Sequence, residues 1–332
     1  MKILLIDLDG NQGGAEKILT QVYYVYRSEG IKCDFLTVRD SYFSKEIKDI
    51  NTIRIDKNIV NLKYDLIIYN NKKSLKVLLF FKILFYKSRH VYYSHGYLSF
   101  IQSIMYRLLE PLLYNSVFVS KSLYDSYPGR NKILVYNSVK PIYSDKRNRN
   151  VNGAINVFMW AQLREWKGHI MLIESFKLLW DYGLDIKLNL VYTTAGSESN
   201  KLLEHIRNEA VSLGKERLVL HENIDNHLDF IYQKADLAIS SSITDDPFPT
   251  IILESFGMKI PIIATRVGGC IEMLNNDERL LADINQEDLA NKIMEFSLLT
   301  RSDIDRIISS NYSRLINEFS YQNFRNGILN NL

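Results

Sequence analysis

Two carboxylates eight positions apart, Asp246 and Glu254, flank a Pro-Phe-Pro-Thr turn in the stretch "DDPFPTIILESFG" at 245–257. Pro247 and Pro249 hold the residues before them extended, so the reading places the helix start at Thr250, with its side-chain oxygen as the N-cap. The amides of Thr250, Ile251 and Ile252 then lack helical partners and point back toward Asp246. Together with the helix dipole they favour a diphosphate. Carboxylates beside a diphosphate repel it unless they hold other parts of the same ligand, and ionised carboxylates accept hydrogen bonds from paired hydroxyls. A sugar nucleotide carries hydroxyls on both flanks of its diphosphate, which would put the transferred sugar on Asp246 and the ribose on Glu254. Taken alone, the pair reads more readily as a turn cap followed by a solvated helix residue, and the case for function comes from what surrounds it.

Three further segments carry groups of the same chemistry. "WAQLREWKGH" at 160–169 sets Lys167 before Gly168 at the entry to a helix. "GNQGGAEKIL" at 10–19 puts Gly13 and Gly14 between the first strand and first helix, and "YYSHG" at 92–96 puts His95 after a strand. With "DDPFPTIILESFGMKIPIIATRVGGCIEML", these segments resemble glycosyltransferase family four, retaining enzymes of the GT-B fold.

Asp246, Glu254, Pro261, Gly268, Gly269 and Glu272 stand at matching positions of the donor-binding segment. Two residues depart: Asp246 replaces the usual Glu, and Lys259 stands where a Gly commonly ends the helix, a substitution costing about 1 kcal/mol if the position is left-handed. The resemblance implies that Lys167 reaches the diphosphate, and that Gln162 occupies the place of an Arg for which Arg164 is the candidate substitute. It also implies that Phe248, Thr250 and Ile251 line the donor. Asn223 and Ile224 in "HENID" would meet the nucleobase through backbone contacts. Gly13 and Gly14 would allow close approach of acceptor and sugar, and His95 would orient donor hydroxyls. Ser120 and Asn137 would close the first domain.

A nucleoside diphosphate leaves readily, so the reaction needs charge stabilisation more than a general acid. Lys167, Asp246 and His95 are the expected catalytic groups; no cofactor and no metal are expected, since the sequence has no ligand cluster. "DLD" at 7–9 has the form of an Asp-x-Asp metal motif but ends the first strand, where a local role is favoured. Retention of configuration is implied by the resemblance alone, and no residue stands out as a base.

The elements that must position these groups alternate between short β-rich runs and amphipathic segments, the form of parallel sheets covered on both faces. The expected fold is α/β: two Rossmann-like, doubly wound parallel-sheet domains facing a cleft, with C-terminal helices returning to the first. The expected boundaries are 1–146 for an acceptor-binding domain, joined by 312–332, and 151–311 for a sugar-nucleotide domain, with "SDKRNRNVNG" at 144–153 as the linker. Charge divides likewise: residues 1–150 carry 24 Lys and Arg against 13 Asp and Glu, and the remainder 17 against 25. A basic first half suits an anionic partner.

Cys33 and Cys270 have no zinc or disulfide spacing. The opening "MKILLIDLDG" reads as a strand and not a secretory signal, and "VLLFFKILFY" at 77–86 is too short to cross a bilayer. The segment 72–89 combines Lys72, Lys73, Lys76, Lys82, Lys87 and Arg89 with an apolar run. Either it rests on an anionic membrane surface or it is an ordinary helix buried on one face.

The expected function is transfer from a UDP- or GDP-sugar to a glycan or a polyprenyl-diphosphate-linked acceptor in surface polysaccharide biosynthesis. The expected place is the cytoplasm, with peripheral attachment to the inner face of the cell membrane. The competing readings are a sugar-nucleotide epimerase or hydrolase of the same fold, and a catalytically silent partner subunit suggested by Gln162 and Asp246. A nicotinamide dehydrogenase is disfavoured because no G-x-G-x-x-G follows a first strand, and nucleic acid because the basic residues lack a matching motif.

Overall fold

A computed structural model of the chain describes residues 1–9, 13–38, 41–48, 50–53, 55, 59–139, 154–194, 199–224 and 226–332. It divides into two compact units, Met1–Asn137 with Tyr321–Leu332, and Ser138–Ser320. The expected linker at 144–153 lies outside the described residues.

The first unit is built on a seven-stranded, wholly parallel sheet. Its strands are β1 (Lys2–Asp7), β2 (Lys32–Thr37), β3 (Asn51–Thr52), β4 (Leu66–Tyr69), β5 (Arg89–Ser94), β6 (Asn115–Phe118) and β7 (Lys132–Leu134), in spatial order β3-β2-β1-β4-β5-β6-β7. The central strands are buried on both faces: Ile3–Ile6 and Leu66–Tyr69 are closed to solvent, as the continuous apolar runs require. The helix Gly14–Ser28 buries Ile18, Leu19, Val22, Tyr23, Val25 and Tyr26 at helical spacing.

The second unit repeats the plan with β8 (Ile155–Gln162), β9 (Ile186–Thr193), β10 (Leu218–Glu222), β11 (Leu237–Ser240), β12 (Ile262–Thr265) and β13 (Leu281–Ala282), in order β10-β9-β8-β11-β12-β13. The helix His169–Asp181 packs Leu172, Ile173, Phe176 and Leu179 into this core. Gly183 follows it with φ 78°, and the amides of Gly183 and Leu184 return to the carbonyls of Trp180 and Leu179, the Schellman closure that a glycine there permits.

Both sheets reverse strand order beside their first strand, between β1 and β4 and between β8 and β11. Ligands of open α/β sheets bind at such points, beyond the carboxyl ends of the strands. The order is that of the expected doubly wound fold.

Several elements differ from the expectation. The two-residue strands β3 and β13 are too short to show a pattern. Within the segment 72–89 a 3-10 turn, Ser74–Val77, precedes the helix Leu78–Leu84. The segment 312–332 divides: the helix Arg301–Asn317 stays with the second unit, and only Tyr321–Asn331 belongs to the first. There Phe324 and Ile328 are buried, Asn115 Nδ2 donates to the carbonyl of Asn331 at 3.0 Å, and Arg325 pairs with Glu29.

Candidate functional site

In the second unit the helix Thr250–Gly257 starts where the prolines stop resisting it, but Thr250 is its first helical residue. Pro249 is the N-cap, with no side-chain cap, so the expected capping role of Thr250 is replaced. Pro249 has no amide to strand, and the amide of Ile252 is taken by the carbonyl of Pro249 at 3.1 Å. Thr250 and Ile251 supply the first-turn amides that the helix itself does not use.

Asp246 precedes this helix and is 4% exposed. Its Oδ2 accepts from Lys167 Nζ at 2.6 Å and from Ser242 Oγ at 3.1 Å. The sequence assigned Lys167 and Asp246 to different parts of a ligand; the structure pairs them. Lys167 lies in the 3-10 turn Glu165–Lys167 beyond β8, its ammonium 4.2 Å from the centre of the Trp166 ring. Its backbone is fixed by Ser241, whose Oγ donates to the carbonyl of Lys167 at 3.0 Å. Gly168 follows with φ 72°, and a Cβ there would stand 1.9 Å from the carbonyl oxygen of Ser241. Only glycine allows the β8 loop to come this close to the end of β11.

Glu254 lies one helical turn beyond Thr250, on the same face. Its carboxylate accepts from Trp160 Nε1 at 2.5 Å, inside the protein. Trp160 stands on β8, and nothing in sequence spacing marks it as a partner of a residue 94 positions away. The role of Ser240, Ser241 and Ser242 was equally hidden, although a serine run straight after a buried strand is a usable signal. Gly268 and Gly269 are cradle residues of a different kind. A Cβ on Gly268 would stand 2.3 Å from the carbonyl oxygen of Asp246, and one on Gly269 2.0 Å from that of Pro247. The amide of Gly269 donates to the Asp246 carbonyl at 2.8 Å, and that of Gly268 to Asp245 Oδ1 at 3.2 Å. The glycine pair therefore clamps the turn that carries Asp246.

Other expected donor residues are distributed less simply. Arg164 Nε donates to Gln162 Oε1 at 3.2 Å, so a guanidinium stands beside the glutamine that replaces the family arginine. Asn223 adopts φ 49° at the end of β10 and its amide meets the carbonyl of Tyr192, with Ile224 beside it. The ring of Phe248 is buried edge-on against Phe319. Lys259 has the left-handed φ of 54°, and its ammonium over the Tyr312 ring at 4.7 Å offsets part of that strain.

The first unit assembles a second cluster at its own switch point. Asp7, fully buried at the end of β1, accepts from Asn70 Nδ2 at 2.6 Å and Asn71 Nδ2 at 3.1 Å. Its other oxygen takes the amide of Asp9 at 2.9 Å, and Asp9 pairs with Lys73. Both acids of "DLD" thus serve local bonds. Asn70 Oδ1, turned away from Asp7, faces His95 Nε2 at 2.9 Å. Since an amide oxygen only accepts, Nε2 carries the hydrogen and Nδ1 is the unprotonated nitrogen. The His95 ring edge stays partly accessible, but surrounding atoms crowd it and burial pulls its pKa down to about 3. It is a neutral hydrogen-bonding group.

Glu16 lies nearby on the first helix; burial first, then the Asp7 charge, raises its pKa to about 8. Gly13 has an extended φ of −146°, which any residue adopts. A side chain there would meet only the movable end of Glu16, and Gly14 is the first residue of the helix. The close-approach role expected of this pair is not required by backbone conformation. Among the described residues, no group of three or more His, Cys, Asp or Glu side chains could hold a metal ion.

Comparison with known proteins places this geometry. Residues 143–312 match the family described as glycosyl transferases group 1. The chain belongs to that family. No curated protein matches this glycosyltransferase in sequence. Among solved structures, HepE of Anabaena, in complex with UDP-glucose, superposes with a TM-score of 0.82 at 20% identity, covering 99% of this chain and 98% of that one. A glycosyltransferase from Rickettsia africae gives 0.81 at 20% identity, covering 100% and 99%. The lipopolysaccharide outer core galactosyltransferase WaaB gives 0.73 at 14% identity, covering 100% of both chains. The fold is GT-B, as expected.

Proposed function

We propose that this glycosyltransferase is a retaining, metal-independent member of family four that transfers a sugar from a UDP- or GDP-linked donor. The acceptor is a glycan or a polyprenyl-diphosphate-linked glycan of surface polysaccharide assembly, met at the inner face of the cell membrane. The observation that carries the donor reading is the pairing of Lys167 with Asp246 ahead of the Thr250–Gly257 helix, with Glu254 one turn inside it. A diphosphate arriving at the first-turn amides shares the Lys167 ammonium with Asp246 Oδ2, and Asp246 Oδ1 meets the sugar hydroxyls. Lys167 and those amides stabilise the charge that builds on the departing diphosphate. Glu254, fixed by Trp160, accepts from the ribose. His95 presents neutral Nδ1 to a donor hydroxyl. Support also comes from HepE, whose structure holds UDP-glucose, and from the lipopolysaccharide role in the name of WaaB.

The test is to incubate the purified protein with UDP- and GDP-sugars and measure binding and product. Donor binding that is lost in Lys167→Ala and Glu254→Ala supports the reading. Binding of no donor, or full binding in both variants, refutes it. Release of free sugar or of an altered nucleotide without acceptor would identify a hydrolase or epimerase instead. A silent partner subunit is the second reading, favoured by Gln162. It predicts that the purified chain forms no product by itself, and that binding to its partner subunit tolerates changes at Asp246 and His95.

A further inference from the structure

The helix Phe100–Leu109 is turned inside out. A domain helix normally buries its apolar stripe, yet this one buries only Tyr106, which donates to Ser116 Oγ at 2.7 Å. Phe100 (81% exposed), Ile101, Ile104, Met105 and Leu108 (75%) all face solvent. Positions 100, 101, 104, 105 and 108 share one helical face, opposite Tyr106. The stripe is amphipathic, but its apolar side points away from the protein.

A neighbouring element extends it. Successive side chains of β5 alternate between faces of the sheet, so His90 and Tyr92 point the same way. Tyr92 packs on Tyr106 of the inverted helix, ring centres 5.9 Å apart, and His90 Nε2 meets the carbonyl of Phe85, just beyond the helix Leu78–Leu84. Both helices therefore cover the same face of the first sheet. On the second of them Leu79, Phe80 and Ile83 (80%) are also exposed, as is Tyr86 just beyond its end. Lys72 ties the two segments, donating to the Tyr97 carbonyl at 2.8 Å and to Gln102 Oε1 at 3.3 Å.

The stretch of chain that carries both helices, between Asp65 and Glu110, has charge of one sign. From residue 66 to 109 there are seven Lys and Arg and no Asp or Glu. Exposed aliphatic and aromatic side chains rimmed by cations, without one carboxylate in 44 residues, complement a surface that is apolar inside and anionic outside. A protein partner of opposite charge would match the rim but leave the exposed aliphatic stripe to be filled. A bilayer supplies both layers at once.

We propose that the outward stripe of the helix Phe100–Leu109 inserts into an anionic lipid bilayer, with Lys76, Lys82, Lys87 and Arg107 engaging the headgroups around it. This deepens the membrane reading above, which rested on segment 72–89, by moving the inserting element to a different helix. It is independent of the donor chemistry.

The test is sedimentation of the full chain with vesicles of phosphatidylcholine, with and without phosphatidylglycerol. The wild type is expected to bind only the anionic vesicles. Ile101→Glu/Leu108→Glu should reduce the bound fraction on the order of ten-fold or more, since two charges replace inserted apolar groups. Lys76→Gln/Lys82→Gln/Lys87→Gln should weaken binding by roughly five-fold per residue at low salt, because each cation interacts separately with the anionic surface. All four aliphatic and basic positions besides Lys82 are exposed, so melting temperature and donor binding should match wild type. Loss in the lysine variant with full binding in the glutamate variant would overturn this inference and leave the 72–89 reading standing. No vesicle binding by the wild type would sink both. A dimer in lipid-free solution that the glutamate variant abolishes would assign the stripe to a second copy and overturn the proposal.

Discussion

Trp160→Phe keeps an aromatic ring in β8 and deletes the hydrogen that Glu254 accepts at 2.5 Å. A hydrogen bond to a charged group contributes about 1.5–3 kcal/mol, and burial keeps water from replacing it fully. Glu254 is 7% exposed and Trp160 6%, so the second unit should lose about 2–3 kcal/mol once the smaller ring is included. The functional consequence follows from position. A carboxylate no longer tethered samples other rotamers and, in the proposed role, offers a ribose fewer productive orientations. Affinity for the nucleoside diphosphate should fall about ten-fold, equivalent to about 1.4 kcal/mol. Calorimetric titration of UDP and GDP into wild type, Trp160→Phe, Glu254→Gln and the double variant measures this. If the indole acts through the carboxylate, the double variant binds no worse than Glu254→Gln, giving a coupling of about 1–1.5 kcal/mol. Strictly additive losses would refute the reasoning, as would wild-type affinity in Trp160→Phe when Glu254→Gln has lost binding.

Gly168→Ala sets a methyl 1.9 Å from the Ser241 carbonyl oxygen at a left-handed φ; it should cost about 2–4 kcal/mol in denaturant unfolding and abolish donor binding by displacing Lys167. Glu16 has a folded pKa of about 8 against an ordinary 4.5. Between these values the folded state holds a proton that the unfolded state has released, so stability falls as pH rises through the window. Glu16→Gln should flatten that slope in melts recorded from pH 5 to 8.5. His95, with its pKa near 3, should show no titration between pH 5 and 8 in nitrogen-detected NMR and should carry its hydrogen on Nε2. The proton that the unfolded state takes up between pH 6.5 and 3 makes this group destabilise the fold only in acid.

Periodicity and short-range chemistry were legible in the sequence. Continuous apolar runs gave the parallel strands, because a strand buried on both faces has no polar side to alternate. Proline marked the start of the helix Thr250–Gly257 to within one residue, since it restricts φ locally. Asp246 and Glu254 became candidates because diphosphate and hydroxyl recognition call for such groups near a helix start, and Lys167 became one through the resemblance. Their partners could not be selected. The contacts Trp160–Glu254, Lys167–Asp246 and Asn70–His95 join different strands, loops and helices, and only the order of strands in each sheet decides which loop ends lie side by side.

The inverted helix makes the same division from the other direction. The sequence by itself determined that Phe100–Leu109 is helical and amphipathic, because a 3.6-residue period and the Ser99–Gln102 capping box are local properties. Tertiary structure alone decided which side faces outward. Tyr106 found Tyr92 and Ser116 beneath it, and fixing that one contact turned the aliphatic side to solvent. A period specifies the spacing of a face, whereas its direction depends on what the rest of the chain places beside it.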